Sequence, residues 1–518
     1  MTRPYRIGII GAGFAGLSSA KVLREFGFDV TVFDSSPDVG GVWSRTRRYP
    51  GLTTQNGKDS YALSDFPMPR DYPEWPTGEQ VQQYLESYVE ERDLKPLLRL
   101  STRVTRAELD ESVPQWTLRL KDIASGKDLP PCTVDHLVVA NGIFSTPFVP
   151  DYPGAEQFTA AGGRICSVSD VADLDQVAGK HALVVGYGKS ACDAAAVFSG
   201  VAASTSVVAR ELLWKIPRKL GGVVNYKYLL LTRLGEGLFR YLRPRGFERF
   251  LHGPGRPLRN AMLASVQALI TRQLRLRETG LVPEGPLERI ARSTVSLATE
   301  SFYESVADGR IAVHRDRTIQ RLAVRSGQTV AELSDGTILP ADVVVCGTGW
   351  RQSLPFLDDE LQRRITDEAG NFALYRQVLP HDVPALTFCG YNSSFFSPLS
   401  AEIAAWWIAA HLTGNLDLPP VEERRAQVAE RLAWMERRTE GRHARGTNIV
   451  PFSVHNIDEL LSDIGIGVSR RERFAEWLRP LNPSAYARVG ARLLARHRAS
   501  GTTVSPGAAH PRTQKVDG

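Results

Sequence analysis

Gly11, Gly13 and Gly16 form a GxGxxG run directly behind the apolar stretch Arg6-Ile-Gly-Ile-Ile10. A strand, this turn and then a helical pattern through Leu17, Ala20, Val22 and Leu23 make the arrangement that a dinucleotide requires. Gly11 makes the tight turn, Gly13 lets the backbone approach a pyrophosphate, and Gly16 lets helix and strand pack closely. Phe14 and Ala15 open the helix, whose free N–H groups and positive dipole end suit phosphate. A second strand, Asp29-Val-Thr-Val-Phe33, leads to Asp34, 18 residues past Gly16, where a carboxylate can accept from ribose hydroxyls. Gly41, Val42 and Trp43 come next, in a glycine-paired turn. It suits a loop lying against a flat cofactor, and an ordinary turn explains it as well.

The pattern returns behind His181-Ala-Leu-Val-Val185 as Gly186, Gly188 and Ala191, with Lys189 and Ser190 between the last two. GxGxxA is a tolerated form of the same fingerprint. The following strand ends at Arg210, 19 residues past Ala191, which reads as the counterpart of Asp34. Arginine there can pair bidentately with a 2′-phosphate that an acid would repel. The second site therefore reads as NADP(H) rather than NAD, and Lys215, Arg218 and Lys219 nearby add to that reading. Two dinucleotide sites in one chain imply electron transfer between two nucleotides. Asp135-His-Leu-Val-Val-Ala-Asn141-Gly142 and Asp342-Val-Val-Val-Cys-Gly-Thr348-Gly349-Trp350 are near twins. Both read as places where the chain crosses back between two nucleotide domains.

The rest of the chain must position these segments, and its composition sets bounds. With 518 residues there is room for two or three domains, and 42% hydrophobic with 23% charged residues is ordinary for globular proteins. The net charge of +6 is too small to imply a nucleic-acid partner. Five widely spaced cysteines without a CxxC pair argue against a disulfide framework, a zinc ribbon and a dithiol centre, and fit a reducing compartment. Ten scattered histidines, none at ligand spacing, give no metal site. An apolar run reached by Ile7 leaves no room for a signal peptide, and no stretch of 18 apolar residues occurs. The expectation is a cytoplasmic protein.

One segment departs from this average. From Ala209 to Arg277 there are 15 Lys and Arg against three acids, a net of +12. Tyr226, Leu230, Leu234, Leu238 and Leu242 recur at four-residue spacing and predict one apolar helical face, which Gly235 and Gly237 weaken. A lid or core packing, peripheral membrane contact and a partner surface all fit such a basic amphipathic segment. Further on, Ser397 to Ile408 predicts an apolar helix whose start, after Phe395 and Phe396, would point at the first nucleotide. Helical patterns also occupy Val421 to Arg438, Ser469 to Leu478 and Tyr486 to His497.

Taken in order, these residues resemble the flavin-containing monooxygenase family, the group B flavoprotein monooxygenases. The first fingerprint is followed by Gly40-Gly41-Val42-Trp43 and by Leu63-Ser-Asp65-Phe66-Pro67, similar to the family's FSDFP segment. Trp214-Lys-Ile-Pro217-Arg218 resembles its NADPH half, and Gly347-Thr348-Gly349-Trp350 its ATGY motif. Stretches at Ile457 to Gly465 and Pro480 to Tyr486 are similar to its C-terminal ones. The signature FxGxxxHxxxF is departed from, with Cys166 where histidine is expected; Cys166 reads better as a buried small hydrophobe than as a reactive thiol. The family asparagine over the flavin falls, in register, at Gln55, with Asn56 beside it. The Baeyer–Villiger branch often has an aspartate near that point.

The resemblance implies FAD in the first site and NADPH in the second, with Gln55 and Asn56 as catalytic residues and Asn141, Thr348 and Gly349 near the cofactors. It implies an α/β fold of two Rossmann-like dinucleotide-binding domains with a helical insert and a helical C-terminal region. The FAD domain would take 1–165 and 333–450, and the NADPH domain 166–332 with a basic insert at 215–300. A helical region would take 451–500, and 501–518 a disordered tail. The implied chemistry is addition of O₂ at flavin C4a, then transfer of one oxygen atom to a nitrogen or sulfur centre of a small molecule. Baeyer–Villiger oxygenation of a ketone is the alternative, and an NADPH oxidase or flavin redox sensor the third reading.

Overall fold

Arg6–Ile10 and His181–Val185 are short, almost fully buried strands, and each sits at the centre of a five-stranded parallel sheet. Parallel sheets are covered on both faces, which is why such strands are apolar throughout rather than alternating. The structure, a computed structural model, describes residues 4–292, 296–441 and 445–500, so the tail expected from 501 lies outside the described residues. The chain divides into two compact units. The first takes the chain up to Ser44, Asn56–Ile143 and the chain from Ser353 on; the second takes Arg45–Gln55 and Phe144–Gln352. Residues 144–165 and 333–352 thus fall in the second unit, and 451–500 in the first.

In the first unit the strand order is Leu386–Phe388, His136–Val139, Arg6–Ile10, Asp29–Phe33, Leu98–Arg99. A three-stranded antiparallel sheet, Thr102–Asp110 with Gln115–Asp122 and Asp128–Val134, shares a core with it through Phe33, Trp116, Leu118, Val139 and Phe388. The helix Phe14–Glu25 packs on the apolar helix Ser397–Leu412, which packs in turn on Ser453–Ile464. Of the other expected C-terminal helices, Val421–Thr439 and Ala487–Ser500 form at nearly full length. The middle one shortens to Arg470–Ala475, started by Ser469 accepting from Glu472 N.

The second unit repeats the plan: Ile311–Arg315, Ser204–Ala209, His181–Val185, Val343–Cys346, Arg164–Ser167, with an antiparallel sheet of Ile319–Arg325, Gln328–Leu333 and Ile338–Pro340. The repetition extends to single hydrogen bonds. Asp135 Oδ2 accepts from Arg6 N at 2.9 Å, and Asp342 Oδ2 from His181 N at 2.8 Å. The near-twin segments therefore occupy equivalent places, beside the central strand, in the two sheets, and each central strand is anchored at its start by the same aspartate contact.

The single helix expected from Tyr226 to Leu242 is not formed. Two short helices, Lys227–Leu230 and Arg233–Gly237, take its place. Thr232 between them is extended and caps the second by accepting from Gly235 N, and Gly235 runs so close to Leu229 that a Cβ would lie 2.0 Å from its carbonyl oxygen. Tyr226 and Leu238 are buried. Core packing thus absorbs the stripe, and the long helix of the insert is Arg256–Gln273. No helix among the described residues is long and apolar enough to cross a membrane.

Candidate functional site

At the end of Arg6–Ile10 the chain turns through Gly11 with φ of 112°, and its N–H donates to Phe33 O at 2.8 Å. A Cβ on Gly11 would lie 2.4 Å from Ala140 O, and one on Gly16 1.7 Å from Gly11 O, so both glycines are demanded by the chain itself. Gly13 is different. Its backbone is extended (φ −87°, ψ −167°), and its Cβ would meet nothing closer than Gly41 Cα at 3.4 Å. Neither strain nor packing requires glycine there. A ligand approaching the N-terminus of Phe14–Glu25 would, and a pyrophosphate fits that place.

The other first-unit candidates surround this turn. Asp34 accepts from Ala12 N and Ser36 N, both at 2.7 Å, so its carboxylate braces the turn and keeps a second lone pair on each oxygen. Gly40 N donates to Ala12 O, bringing Gly41, Val42 and Trp43 alongside as a 3₁₀ turn. The Trp43 indole donates to Tyr61 OH at 3.2 Å, and the Phe14 ring stands edge-on to Tyr61 at 5.4 Å. Ala15 faces the close turn at Gly390, whose Cβ would lie 2.8 Å from that of Ala15. Asn141 donates to Ser353 O at 3.0 Å and accepts from Tyr391 OH at 2.7 Å, so its side chain pins the loop after His136–Val139.

The second-unit turn has the same form: Gly186 has φ of 114°, donates to Val208 O, and would place a Cβ 2.5 Å from Gly347 O. Gly188 is extended and open, its Cβ meeting only Gly347 O at 4.0 Å, so the ligand argument applies to it as to Gly13. Val208 thus corresponds to Phe33 and Ala209 to Asp34. Arg210 stands one residue beyond the counterpart of Asp34, and it is exposed. The strand and loop lengths are the same in both units, since Asp34 lies 18 residues past Gly16 and Ala209 lies 18 past Ala191; Arg210, at 19, is one position farther along. An uncharged Ala209 still leaves nothing to repel a phosphate.

Of the three neighbouring cations, Lys215 does not face a phosphate. It is buried, donates to Ser296 Oγ at 3.0 Å and lies 5.3 Å from the Tyr187 ring centre; burial pushes its pKa down. Arg218 donates to Thr53 Oγ1 at 2.6 Å, and Lys219 is exposed. Within the fingerprint helix Lys189 pairs with Asp193 and donates to Thr299 Oγ1, while Ser190 accepts from Tyr49 OH at 3.1 Å. Tyr49 also donates to Asp193 Oδ2 at 3.3 Å. This buried network went unseen in the sequence, because Tyr49, Asp193 and Thr299 share no spacing; only the fold gathers them. Thr348 donates to Phe148 O, and Gly349 O accepts from Phe148 N, which fixes the exit of Val343–Cys346.

Gln55 and Asn56, adjacent in sequence, belong to different units. Gln55 Oε1 accepts from Leu297 N at 3.0 Å, and its carbonyl accepts from Tyr226 OH. Asn56 is 2% exposed and donates to Phe395 O, ahead of the helix Ser397–Leu412. Phe395, Phe396, Trp406 and Trp407 are all buried. In that helix Glu402 accepts from Ser64 N and Ser64 Oγ at 2.8 and 2.9 Å, and burial pushes its carboxyl up to about 7. Cys166, paired with Val345, is buried and its thiol is pushed up to about 11 by desolvation, as suits a packing residue. Among the described residues no group of three His, Cys, Asp or Glu could hold a metal ion.

Comparison with known proteins matches the chain to the family described as flavin-binding monooxygenase-like, over residues 4–273 and 294–469. A human protein named putative dimethylaniline monooxygenase [N-oxide-forming] 6 is 26% identical, covering 82% of this chain and 76% of its own. S-allyl-L-cysteine S-oxygenase from Allium sativum superposes with a TM-score of 0.61 at 18% identity, covering 96% of this chain and 99% of its own. Cyclohexanone monooxygenase from Rhodococcus sp. Phi1, bound to NADP⁺, gives 0.63 at 19% identity, covering 89% and 98%.

Proposed function

Because this chain belongs to the flavin-binding monooxygenase-like family, we propose that it places one oxygen atom of O₂ on a nitrogen or sulfur centre of a small molecule. It is a flavin-dependent monooxygenase, with FAD and NADPH as cofactors. In our reading the first unit holds FAD and the second NADPH. Gly13 and Gly188 let the two pyrophosphates reach the helix N-termini, Asp34 receives the ribose of FAD, and Arg210 with Ala209 admits the 2′-phosphate of NADPH.

Reduced flavin supplies the oxygen activation when bound. What this chain contributes is binding, orientation and exclusion of water. Asn56, buried and tied to Phe395 O, presents a fixed amide in the first unit; Gln55, held by Leu297 N, does so in the second. The observation that carries the choice of acceptor is that this pair is two neutral amides. Lone pairs of amines and sulfides take an electrophilic oxygen, which neutral surroundings favour, whereas insertion beside a ketone needs an anionic one. The nearest acid in the segment, Asp59, is exposed.

The test is product analysis by mass spectrometry after turnover with NADPH, O₂ and, separately, a small tertiary amine, a thioether and a cyclic ketone. An N-oxide or sulfoxide is expected. A lactone from the ketone alone would replace this reading with the Baeyer–Villiger one. Peroxide equal to the NADPH consumed, with no oxygenated product from any of the three, would replace it with an oxidase.

A further inference from the structure

Residues 45–55 lie between two stretches of the first unit, Ser44 before and Asn56 after, yet they belong to the second. Their side chains show what holds them there. Tyr49 OH meets Ser190 Oγ at 3.1 Å and Asp193 Oδ2 at 3.3 Å. Gly51 runs so close to Val197 that a Cβ would lie 2.7 Å from its Cγ2. Ser190, Asp193 and Val197 all belong to the helix Lys189–Phe198, which opens directly behind Gly188. Farther along, Thr53 accepts from Arg218, and Gln55 is held at its side chain by Leu297 N and at its carbonyl by Tyr226 OH. One short segment thus joins the fingerprint helix of the second unit to the Gln55 amide.

The Tyr49 contact is made by the hydroxyl, with a carboxylate set to receive it. Asp193 is 3% exposed; its Oδ1 takes the Lys189 ammonium and the Thr299 hydroxyl, which fixes the carboxylate and leaves Oδ2 turned to the phenol. Burial, with the Asp193 charge beside it, holds the Tyr49 phenol well above its ordinary range. The phenol therefore keeps its proton and donates, and a hydrogen bond to a charged acceptor is among the stronger kinds. Phenylalanine would fill the place of the ring but could not make this bond.

We propose that Tyr49 is a positioning residue for oxygen transfer: through Ser190 and Asp193 it fastens residues 45–55 to the nucleotide helix, so that binding of NADP⁺ orders the segment and sets the Gln55 amide. The inference rests on the reading that the second unit holds NADPH and that Gln55 serves the oxygenation. Ser190 stands in the first turn of the helix, where free N–H groups face an incoming phosphate. A phosphate oxygen that takes the Ser190 hydroxyl proton leaves Ser190 Oγ as an acceptor, and the Tyr49 proton then has two acceptors, Ser190 and Asp193. A filled site thereby tightens the hold on the segment. No proton leaves any of the three groups in this exchange.

Hydrogen exchange read by mass spectrometry on the full-length, flavin-loaded protein, with NADP⁺ as the probe, tests it. NADP⁺ should slow exchange in the parent both in the helix Lys189–Phe198 and in residues 45–55. In Tyr49→Phe the helix should still be protected, while exchange in the segment rises about tenfold, the factor that loss of one hydrogen bond to a charged group gives. Turnover with NADPH and a thioether should split in the same way. The KM for NADPH should stay within about twofold of the parent, and sulfoxide formed per NADPH should fall about fivefold with peroxide making up the difference. Protection of the helix without protection of the segment in the parent would overturn the inference, and that result needs no variant. So would a Tyr49→Phe protein that melts lower but keeps the parent's ratio of sulfoxide to peroxide, since the phenol would then serve the fold alone. Protection of neither helix nor segment would remove the nucleotide assignment itself, and the inference with it.

Discussion

The two fingerprints meet different steric demands. In the first unit the helix residue is Gly16 and the residue beneath the turn, just after the strand His136–Val139, is Ala140; in the second they are Ala191 and, just after Val343–Cys346, Gly347. A Cβ on Gly16 would stand 1.7 Å from Gly11 O, and one on Gly347 2.6 Å from Ala191 Cβ. The contacts relieved differ: in the first unit the helix residue clears the turn backbone, and in the second the residue after the strand clears the helix residue. The third letter of a GxGxxG/A motif therefore reports the neighbouring strand as much as the ligand. Its second letter has no counterpart in packing in either unit, and that is the position where the ligand decides.

The largest effect should come from Gly16→Ala, which sets a methyl group against backbone. It should cost more than about 3 kcal/mol and leave little soluble protein. Ala191→Gly should cost about 1 kcal/mol, read as a small fall in melting temperature. Equal losses would remove the distinction drawn between the two turns. Next, Gly13→Ala should melt close to the flavin-free parent, and Gly188→Ala close to the flavin-loaded one. The first should purify without flavin; the second should purify yellow with the KM for NADPH raised roughly 10- to 100-fold, as loss of about 1.5–3 kcal/mol of charge-assisted contact implies. A Gly13→Ala protein with full flavin content would sink the first-site assignment.

Arg210→Ala should raise the KM for NADPH about tenfold and leave that for NADH nearly unchanged. Parallel changes for both would show that its position, one residue beyond the counterpart of Asp34, lies out of reach of the phosphate. The smallest effect separates the units by their buried acids. Asp193 in the second faces the Lys189 cation, whereas Glu402 in the first is hydrogen-bonded by Ser64. The folded protein holds the Glu402 proton up to about 7, while an unfolded glutamate releases it near about 4.3. Its contribution is complete below the lower value and is lost as pH rises through the upper one. Glu402→Gln should thus gain on the parent between pH 5 and 8, by on the order of 1–2 kcal/mol in thermal melts. A constant difference across that range would place the titration elsewhere.

Much of this was legible in the residues because it is local. Strand, glycine turn and helix lie within about twenty positions of one another, and the twin segments starting at Asp135 and Asp342 betray the repeated sheet. What escaped was set by the partners of a segment rather than by the segment. Tyr226 to Leu242 has helical spacing, yet Thr232 and the close passage at Gly235 break it. Lys215 has the composition of a phosphate ligand and the environment of a core residue. Gln55 and Asn56 look like one site in sequence, yet their side chains are held by different units.

The packing of Phe14–Glu25 on Ser397–Leu412 has a consequence for biosynthesis. The first helix leaves the ribosome 372 residues before its partner begins, which at about 5–20 residues per second is a wait on the order of 20–75 s. The edge strand Leu386–Phe388 arrives equally late, whereas every strand of the second unit's parallel sheet has been made by Cys346. The nascent chain can thus finish its second nucleotide fold before its first. Until then the helix Phe14–Glu25 awaits the apolar helix it packs on, so supply of FAD and of chaperone during synthesis should govern the yield of the enzyme more than either does afterwards.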